Sequence, residues 1–332
     1  MTGCVQNDQQ LNASETPASR DSKFGEIALT YCPARYRLMR PVICLCLFLL
    51  PSWVWGQQCT SYVVVAAYEH KLGADMENLK PDDFQVNVGQ VPLAAVSAQQ
   101  NFHNRLLVLV EADGAQKNAK LQEMVDVVTR WARQVPDGEP VAFGEFGKRA
   151  IFTKQFFADP NERSKAISEV VEEAPTLGNS AALFDALHQG LALFGDHQPG
   201  DTVLLVSDDF DDASHHSPGE VEKVFLAKGI RLFLMLRQNP SHVGRDFLWR
   251  PHTEGEILVR TSKETGGAYS EFSPAFFRFA WAGYMVGVKV DPGLDSHRKL
   301  KVKLKGATDF YRKAILYYPE RLPPCGPAPA GP

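Results

Sequence analysis

Two short, nearly unbroken apolar runs, each ending in acid, constrain this chain more than any other feature. Arg105-Leu106-Leu107-Val108-Leu109-Val110 runs into Glu111-Ala112-Asp113-Gly114-Ala115, and Thr202-Val203-Leu204-Leu205-Val206 runs into Ser207-Asp208-Asp209. Runs this short, without polar alternation, read as strands buried on both faces. Apolar residues at Leu121, Met124, Val125, Val128, Trp131 and Ala132 recur at helical spacing over 117–134. Further helices are expected over 161–173, 181–194 and 218–228, a hairpin from 141–146 to 150–153 through Gly147-Lys148, and a strand over 230–236. Strands alternating with helices imply an α/β fold, with a doubly wound, mostly parallel sheet covered on both faces. Such sheets bind ligands at the carboxyl ends of their strands, which is where the acids fall.

The flanks read differently. Tyr62–Tyr68 is β-rich, and Phe84, Val86 and Val88 alternate after a turn at Lys80-Pro81-Asp82-Asp83. Val91–Leu93 and Ala95-Val96 suggest one more edge segment. A helix near 273–281, with Phe276, Phe277, Phe279 and Trp281, leads into Gly283–Val290. Leu300, Val302 and Leu304 then alternate with Lys299, Lys301, Lys303 and Lys305, as in a half-exposed strand whose lysines discourage aggregation. Tyr311–Tyr317 supplies a last strand. The strands before and after the α/β unit are expected to pair as a small flanking β-sandwich.

The N-terminus reads as an export signal. Arg35, Arg37 and Arg40 precede the apolar stretch Val42–Leu50, followed by Pro51 and Val54-Trp55-Gly56. That stretch is short of the roughly 20 apolar residues of a membrane span, so no stable membrane anchor is expected. Residues 1–38 read as upstream sequence from a mis-assigned start, 39–56 as a signal peptide cleaved near Gly56, and 57–100 as an N-terminal β module. The α/β domain takes 101–282, the C-terminal strands 283–320, and a flexible tail 321–332. Cleavage removes Cys4, Cys32, Cys44 and Cys46 and leaves Cys59 and Cys325. In an exported protein these suggest one disulfide tying the chain ends, with two free or intermolecular thiols as the alternative. A net charge of −4 gives no reason to expect nucleic acid as a partner.

The order and spacing of the acid-ended strands, with Gly178-Asn179-Ser180-Ala181 between them, resemble a von Willebrand factor A (VWA) domain. Asp83-Phe84, Arg105, Ser207-Asp208, Thr265-Gly266-Gly267 and Tyr284 recur in the order of an exported bacterial VWA-related family with a short β module ahead of the VWA unit. The resemblance implies three loops reading Asp-x-Ser-x-Ser, then Thr, then Asp-Gly, which together hold one divalent ion. Here Glu111 stands in place of the Asp, Asp113 in place of the first Ser, and Ala115 in place of the second. Ser180 or Ala181 falls at the Thr, Asp208 matches the later Asp, and Asp209 replaces its Gly. Two readings follow. Glu111, Asp113, Ser180 and Asp208 could hold Ca²⁺ or Mg²⁺, carboxylates suiting Ca²⁺ better. Alternatively the adhesion site is degenerate and the fold persists as a scaffold without a cofactor. Loss of both first-loop hydroxyls favours the second.

Other chemistry finds little support. Ser207-Asp208 is not a nucleophile elbow, and there is no phosphate loop or metalloprotease His-Glu pair. Asp208–His216 reads as a solvated loop leading to a helix capped at Ser217-Pro218; on a helix or strand the adjacent His215 and His216 would point apart. The expectation is a non-enzymatic, exported binding protein, periplasmic or secreted, that recognises a protein or matrix partner at the cell envelope. Glu111 and Asp113 would meet a basic group of that partner. A metal-dependent adhesion protein and, behind it, a metal-dependent hydrolase are the alternatives.

Overall fold

The computed structural model describes residues 58–69, 76–100, 104–112, 119–178, 180–208, 211–236, 253–270, 280, 283–294, 298–306 and 314–325. In chain order, β1 (Cys59–Tyr68), β2 (Phe84–Val88), β3 (Val91–Leu93) and β4 (Ala95–Gln100) precede the α/β part. That part comprises β5 (Leu106–Glu111), α1 (Ala119–Arg133), β6 (Val141–Phe146), β7 (Ala150–Phe152), α2 (Pro160–Glu173) and α3 (Leu183–Ala192). It continues through β8 (Thr202–Ser207), α4 (Pro218–Lys228), β9 (Arg231–Leu236), α5 (Thr253–Glu264) and β10 (Tyr269–Ser270). The chain then returns through β11 (Tyr284–Val290), β12 (Leu300–Leu304) and β13 (Ile315–Tyr317).

The first and last strands form a sandwich, as their alternation implied. One sheet runs β13-β1-β11-β4 and the other β12-β2-β3. Val63, Val65, Phe84, Val86, Val286, Leu300 and Val302 share the core between them, while Lys301 and Lys303 face water. The stretch 91–100 is two strands in different sheets, with Ala94 between them, where one edge segment was expected. The Tyr284 hydroxyl is buried in this core. It accepts from the Leu79 N–H at 3.1 Å and donates to the Met76 carbonyl at 2.9 Å. Gln100 of β4 pairs with Tyr284 of β11, so the α/β part leaves the sandwich and rejoins it at neighbouring points.

The Cys59–Cys325 disulfide closes this arrangement, with Cα atoms 5.9 Å apart. Ser61 Oγ donates to the Pro323 carbonyl at 2.6 Å, and Leu322 is buried in the sandwich core. The expected flexible tail is therefore corrected at its start. Residues 321–325 are pinned by the disulfide, this hydrogen bond and an apolar anchor, and 326–332 lie outside the described residues. So do 1–57, with the signal segment, and the expected helix near 273–281 apart from Ala280. Among the described residues no helix is long and apolar enough to cross a membrane.

The α/β sheet runs β10-β9-β8-β5-β6-β7, parallel except for β7, which pairs antiparallel with β6. Its two faces carry separate cores. Leu106, Val108, Val110, Val141 and Phe143 pack beneath Leu121, Val125 and Val128 of α1 and Ile167 and Val170 of α2. Leu107, Leu109, Val203 and Leu205 pack beneath Leu183 and Leu187 of α3 and Val221 and Phe225 of α4. Double coverage explains why the strands read as apolar runs. At the amino ends, Arg105 grips the buried Asp201 through Nε (2.9 Å) and Nη2 (2.6 Å) and donates to the Phe194 and Asp196 carbonyls. The helix starts follow local chemistry: Asp159 Oδ1 accepts from the Asn161 and Glu162 amides, and Ser217 and Glu220 form a capping box.

Helix α5 and strand β10 had no sequence signal. The buried face of α5 includes Thr261 and Ser262 beside Leu258, and Thr265 follows, so no apolar stripe marks it. Thr265 Oγ1 donates to the Thr261 carbonyl at 2.8 Å and accepts from the Leu232 N–H at 3.1 Å, fastening the helix end to β9. Gly267 lies so close that a Cβ there would overlap the Leu232 carbonyl.

Two outcomes follow from this packing. Gly267→Ala is expected to destabilise the fold by about 1–3 kcal/mol, the usual range for overpacking, as a lowered urea midpoint. Cys59→Ser is expected to cost about 2–5 kcal/mol, because an open chain has more unfolded-state entropy. For the unsubstituted protein, reductant should give the same loss; an unchanged midpoint would show that the bridge contributes nothing.

Candidate functional site

The carboxyl end of the α/β sheet gathers three groups of polar residues. The first is Glu111, Ser207 and Asp208, at the ends of the adjacent strands β5 and β8. Side chains alternate across a strand, so Glu111 and Ser207 fall on the face covered by α3 and α4. Glu111 Oε2 accepts from Ser207 Oγ at 2.7 Å and from the Asp208 amide at 2.9 Å. The Asp208 charge opposes ionisation of Glu111. Glu111 is 2% exposed and Asp208 6%. Burial first, and then the Asp208 charge, push the Glu111 carboxyl up to about 8 against the hydrogen bonds from the Asp208 amide and Ser207.

The sequence-derived set is thus divided. Glu111 and Asp208 are brought together, Asp113 lies outside the described residues, and Ser180 is half-buried in the 178–182 loop. Glu111 is corrected in one respect: enclosed at 2% exposure, it is not a surface acid that a partner could meet directly. A hard divalent ion needs several oxygens turned towards it. Here the Ser207 hydroxyl and the Asp208 amide both point at Glu111. Among the described residues no group of three or more His, Cys, Asp or Glu is placed to hold a metal.

The second group is a clasp between the 180–185 segment and the loop after β8. Helix α3 begins at Ala182, which has no side chain to cap it. Its first amides are satisfied from across the loop instead: Ser214 Oγ accepts from Phe184 (2.9 Å) and Asp185 (3.1 Å), and Asp211 accepts from Leu183. Asp212 Oδ1 accepts from the Ala181 amide at 2.8 Å. Asp185 accepts from the ring nitrogens Nδ1 of His215 (3.0 Å) and His216 (2.7 Å), and from both backbone amides. His216 also stacks on His188, with centroids 3.9 Å apart. The adjacent histidines therefore converge, because they sit in a loop and not on a helix or strand. Partial burial works against ionisation of Asp185, but these four hydrogen bonds hold its carboxyl well below the usual range. Sequence reasoning missed Asp185 and Ser214, since an Asp in the first turn of a helix reads as ordinary dipole chemistry.

The third is Glu145, near the end of β6 on the opposite face, beneath α1 and α2. Burial alone pushes its carboxyl up to about 7. Its only sequence signal was one acid inside the apolar run Val141-Ala142-Phe143-Gly144-Glu145-Phe146.

The strand order, the single antiparallel edge strand and the acid-ended central strands make this a doubly wound α/β body. No protein-family model and no curated protein matches the chain. Solved structures similar to it include an aerotolerance-related membrane protein from Bacteroides fragilis carrying multiple mutations to serine. It is 11% identical, with a TM-score of 0.40, over 53% of this chain and 94% of that one. A von Willebrand factor type A protein from Catenulispora acidiphila is 12% identical at a TM-score of 0.35, over 79% of this chain and 72% of that one. Proximal thread matrix protein 1 from the mussel byssus, with a zinc-occupied MIDAS motif, is 16% identical at 0.38, over 55% and 47%.

A pH dependence follows from the buried Glu111. Its ordinary value is 4.5 and its folded value about 8, so between these the folded state keeps a proton that the unfolded chain has lost. Stability is unaffected by this group below pH 4.5, falls as pH rises, and has lost the whole contribution above about pH 8. Urea midpoints are expected to drop from pH 5 to pH 8, and Glu111→Gln should flatten that drop. An equally steep drop in the variant would mean that the proton is not held at this pair.

Proposed function

We propose that this protein is an exported, non-catalytic binding protein of the cell envelope, whose VWA-like rim engages a protein or matrix partner without a resident divalent ion. The observation that carries this reading is the buried Glu111–Asp208 pair, in which the Ser207 hydroxyl and the Asp208 amide already donate to Glu111 Oε2. With its carboxyl pushed up to about 8, Glu111 would hold a proton that removes the repulsion between the two buried acids, as a cation would. The rim stays ordered through the clasp of Asp185, Asp212 and Ser214. Its outward chemistry is then that of the 211–217 loop, where Asp212 is exposed and the His215 ring is 92% exposed. A basic group of the partner would meet Asp211 and Asp212 there.

Export is supported by the basic and apolar pattern of residues 35–56 and by the Cys59–Cys325 bridge, which suits an oxidising compartment. Hydrolysis through the acidic pair is disfavoured: a general base needs a lone pair open to water, and Glu111 is enclosed and already bonded.

Calorimetric titration of the chain from residue 57 onward with Ca²⁺, Mg²⁺ and Mn²⁺ tests the reading. No saturable binding is expected from any of the three. Saturable binding abolished by both Glu111→Ala and Asp208→Ala would overturn it in favour of metal-dependent adhesion.

A further inference from the structure

The sheet face opposite the Glu111 pair carries a second buried acid whose surroundings are unlike it. Glu145 is 5% exposed, and it lines a cleft of about 420 Å³ between α1 and α2, walled by Val125, Thr129, Val171 and Pro175. That volume lies at the small end of the ~300–1,000 Å³ typical of small-molecule sites. Where Glu111 has Ser207, the Asp208 amide and a partner carboxyl, burial is the one influence acting on Glu145. No described residue donates a hydrogen bond to it.

Two further groups in the same cleft are unmatched. The Thr129 hydroxyl is buried without a hydrogen-bond partner among the described residues, and so is Nε of Arg133. The guanidinium reaches Ser168 Oγ through Nη2 at 3.3 Å, which leaves the Nε–H free. A buried polar group left without a partner costs about 1–3 kcal/mol, so the Thr129 hydroxyl and the Arg133 Nε–H are a standing cost to the fold unless something else fills the cleft. An acceptor at Glu145 and a donor at Arg133 could have satisfied each other; they do not. The two call for a third molecule carrying both a cationic donor and an anionic acceptor.

We propose that the α1–α2 cleft is a binding site for a small zwitterion of the amino-acid class, its basic nitrogen donating to Glu145 and its carboxylate accepting from Arg133 Nε. The Thr129 hydroxyl completes the polar set, and Val125 and Val171 supply the apolar wall. Arg130 lines the same cleft and adds positive charge for the carboxylate end. The site lies on the other face of the sheet from the Glu111 pair and does not depend on how the rim is used.

The test is titration of the full chain with L-arginine, with agmatine (no carboxylate) and propionate (no basic nitrogen) as partial probes. Saturable binding of L-arginine at pH 8 is expected, at least tenfold tighter than either partial probe and weakened at least tenfold in Glu145→Gln. Asp126, Arg130 and Arg133 are the other charged groups lining the cleft from α1, and α2 contributes none. Asp126 is exposed, and binding to the unsubstituted protein should weaken as pH falls through about 7, where Glu145 takes up a proton. This pH series decides the matter even if the variant fails to fold. No saturable binding of L-arginine, equal binding of the partial probes, or affinity indifferent to pH and to Glu145→Gln would overturn the proposal and leave the cleft to water.

Discussion

The pairing of β1 with β11, and of β11 with β4, is the constraint on which the molecule depends. Seven consecutive residues of β1 register against β11, from Cys59 opposite Val290 to Val65 opposite Tyr284. Because Gln100 lies opposite Tyr284 on the next strand, the whole α/β body is a loop whose two ends are held at neighbouring points of one ladder. Bringing distant segments together costs chain entropy, and here one sheet meets that cost for both ends of the insertion. The Cys59–Cys325 bridge, spanning 266 residues of sequence, fastens the same corner from outside.

Within the insertion, a sheet buried on both faces leaves few places for charge. Arg105 and Asp201 solve this at the amino ends by a bidentate pair that also satisfies two carbonyls. At the carboxyl ends, Glu111 and Glu145 lie near one another in sequence register, Val110 pairing with Glu145 and Glu111 with Phe146, yet they point to opposite faces. One finds donors and a second acid, and the other finds an open cleft. Strand alternation alone assigns them to different chemistries.

The second-loop region is held by polar contacts instead of apolar ones. Ala182 offers helix α3 no cap, and the post-β8 loop supplies Ser214 and Asp211 in its place. Displacing that loop would uncover the helix start, so residues 180–185 and 211–216 form one unit, with Asp185 holding two histidines as its outer fastening.

Much of this architecture was legible in the chain itself. The apolar runs at 105–110 and 202–206, the 3.6-residue periodicity of α1, the Ser217-Pro218 helix start and the alternation of Leu300, Val302 and Leu304 all act through local geometry and burial, which a sequence records directly. Setting the other cysteines aside left a Cys59–Cys325 bridge or two free thiols, and the fold, with the Cα atoms 5.9 Å apart, decides for the bridge. What depended on distant partners was not written there. Helix α5 buries Thr261 and Ser262, so it has no apolar stripe. The convergence of His215 and His216 follows from a loop conformation set by Asp185, thirty-odd residues away. Glu111 reads as a strand-end acid, and only the fold brings the Ser207 hydroxyl and the Asp208 amide to it. Glu145 reads as a stray acid until α1 and α2 are laid over it. Sequence determined which segments must be buried; tertiary structure decided what each buried acid would meet, because a pKa is set by neighbours in space.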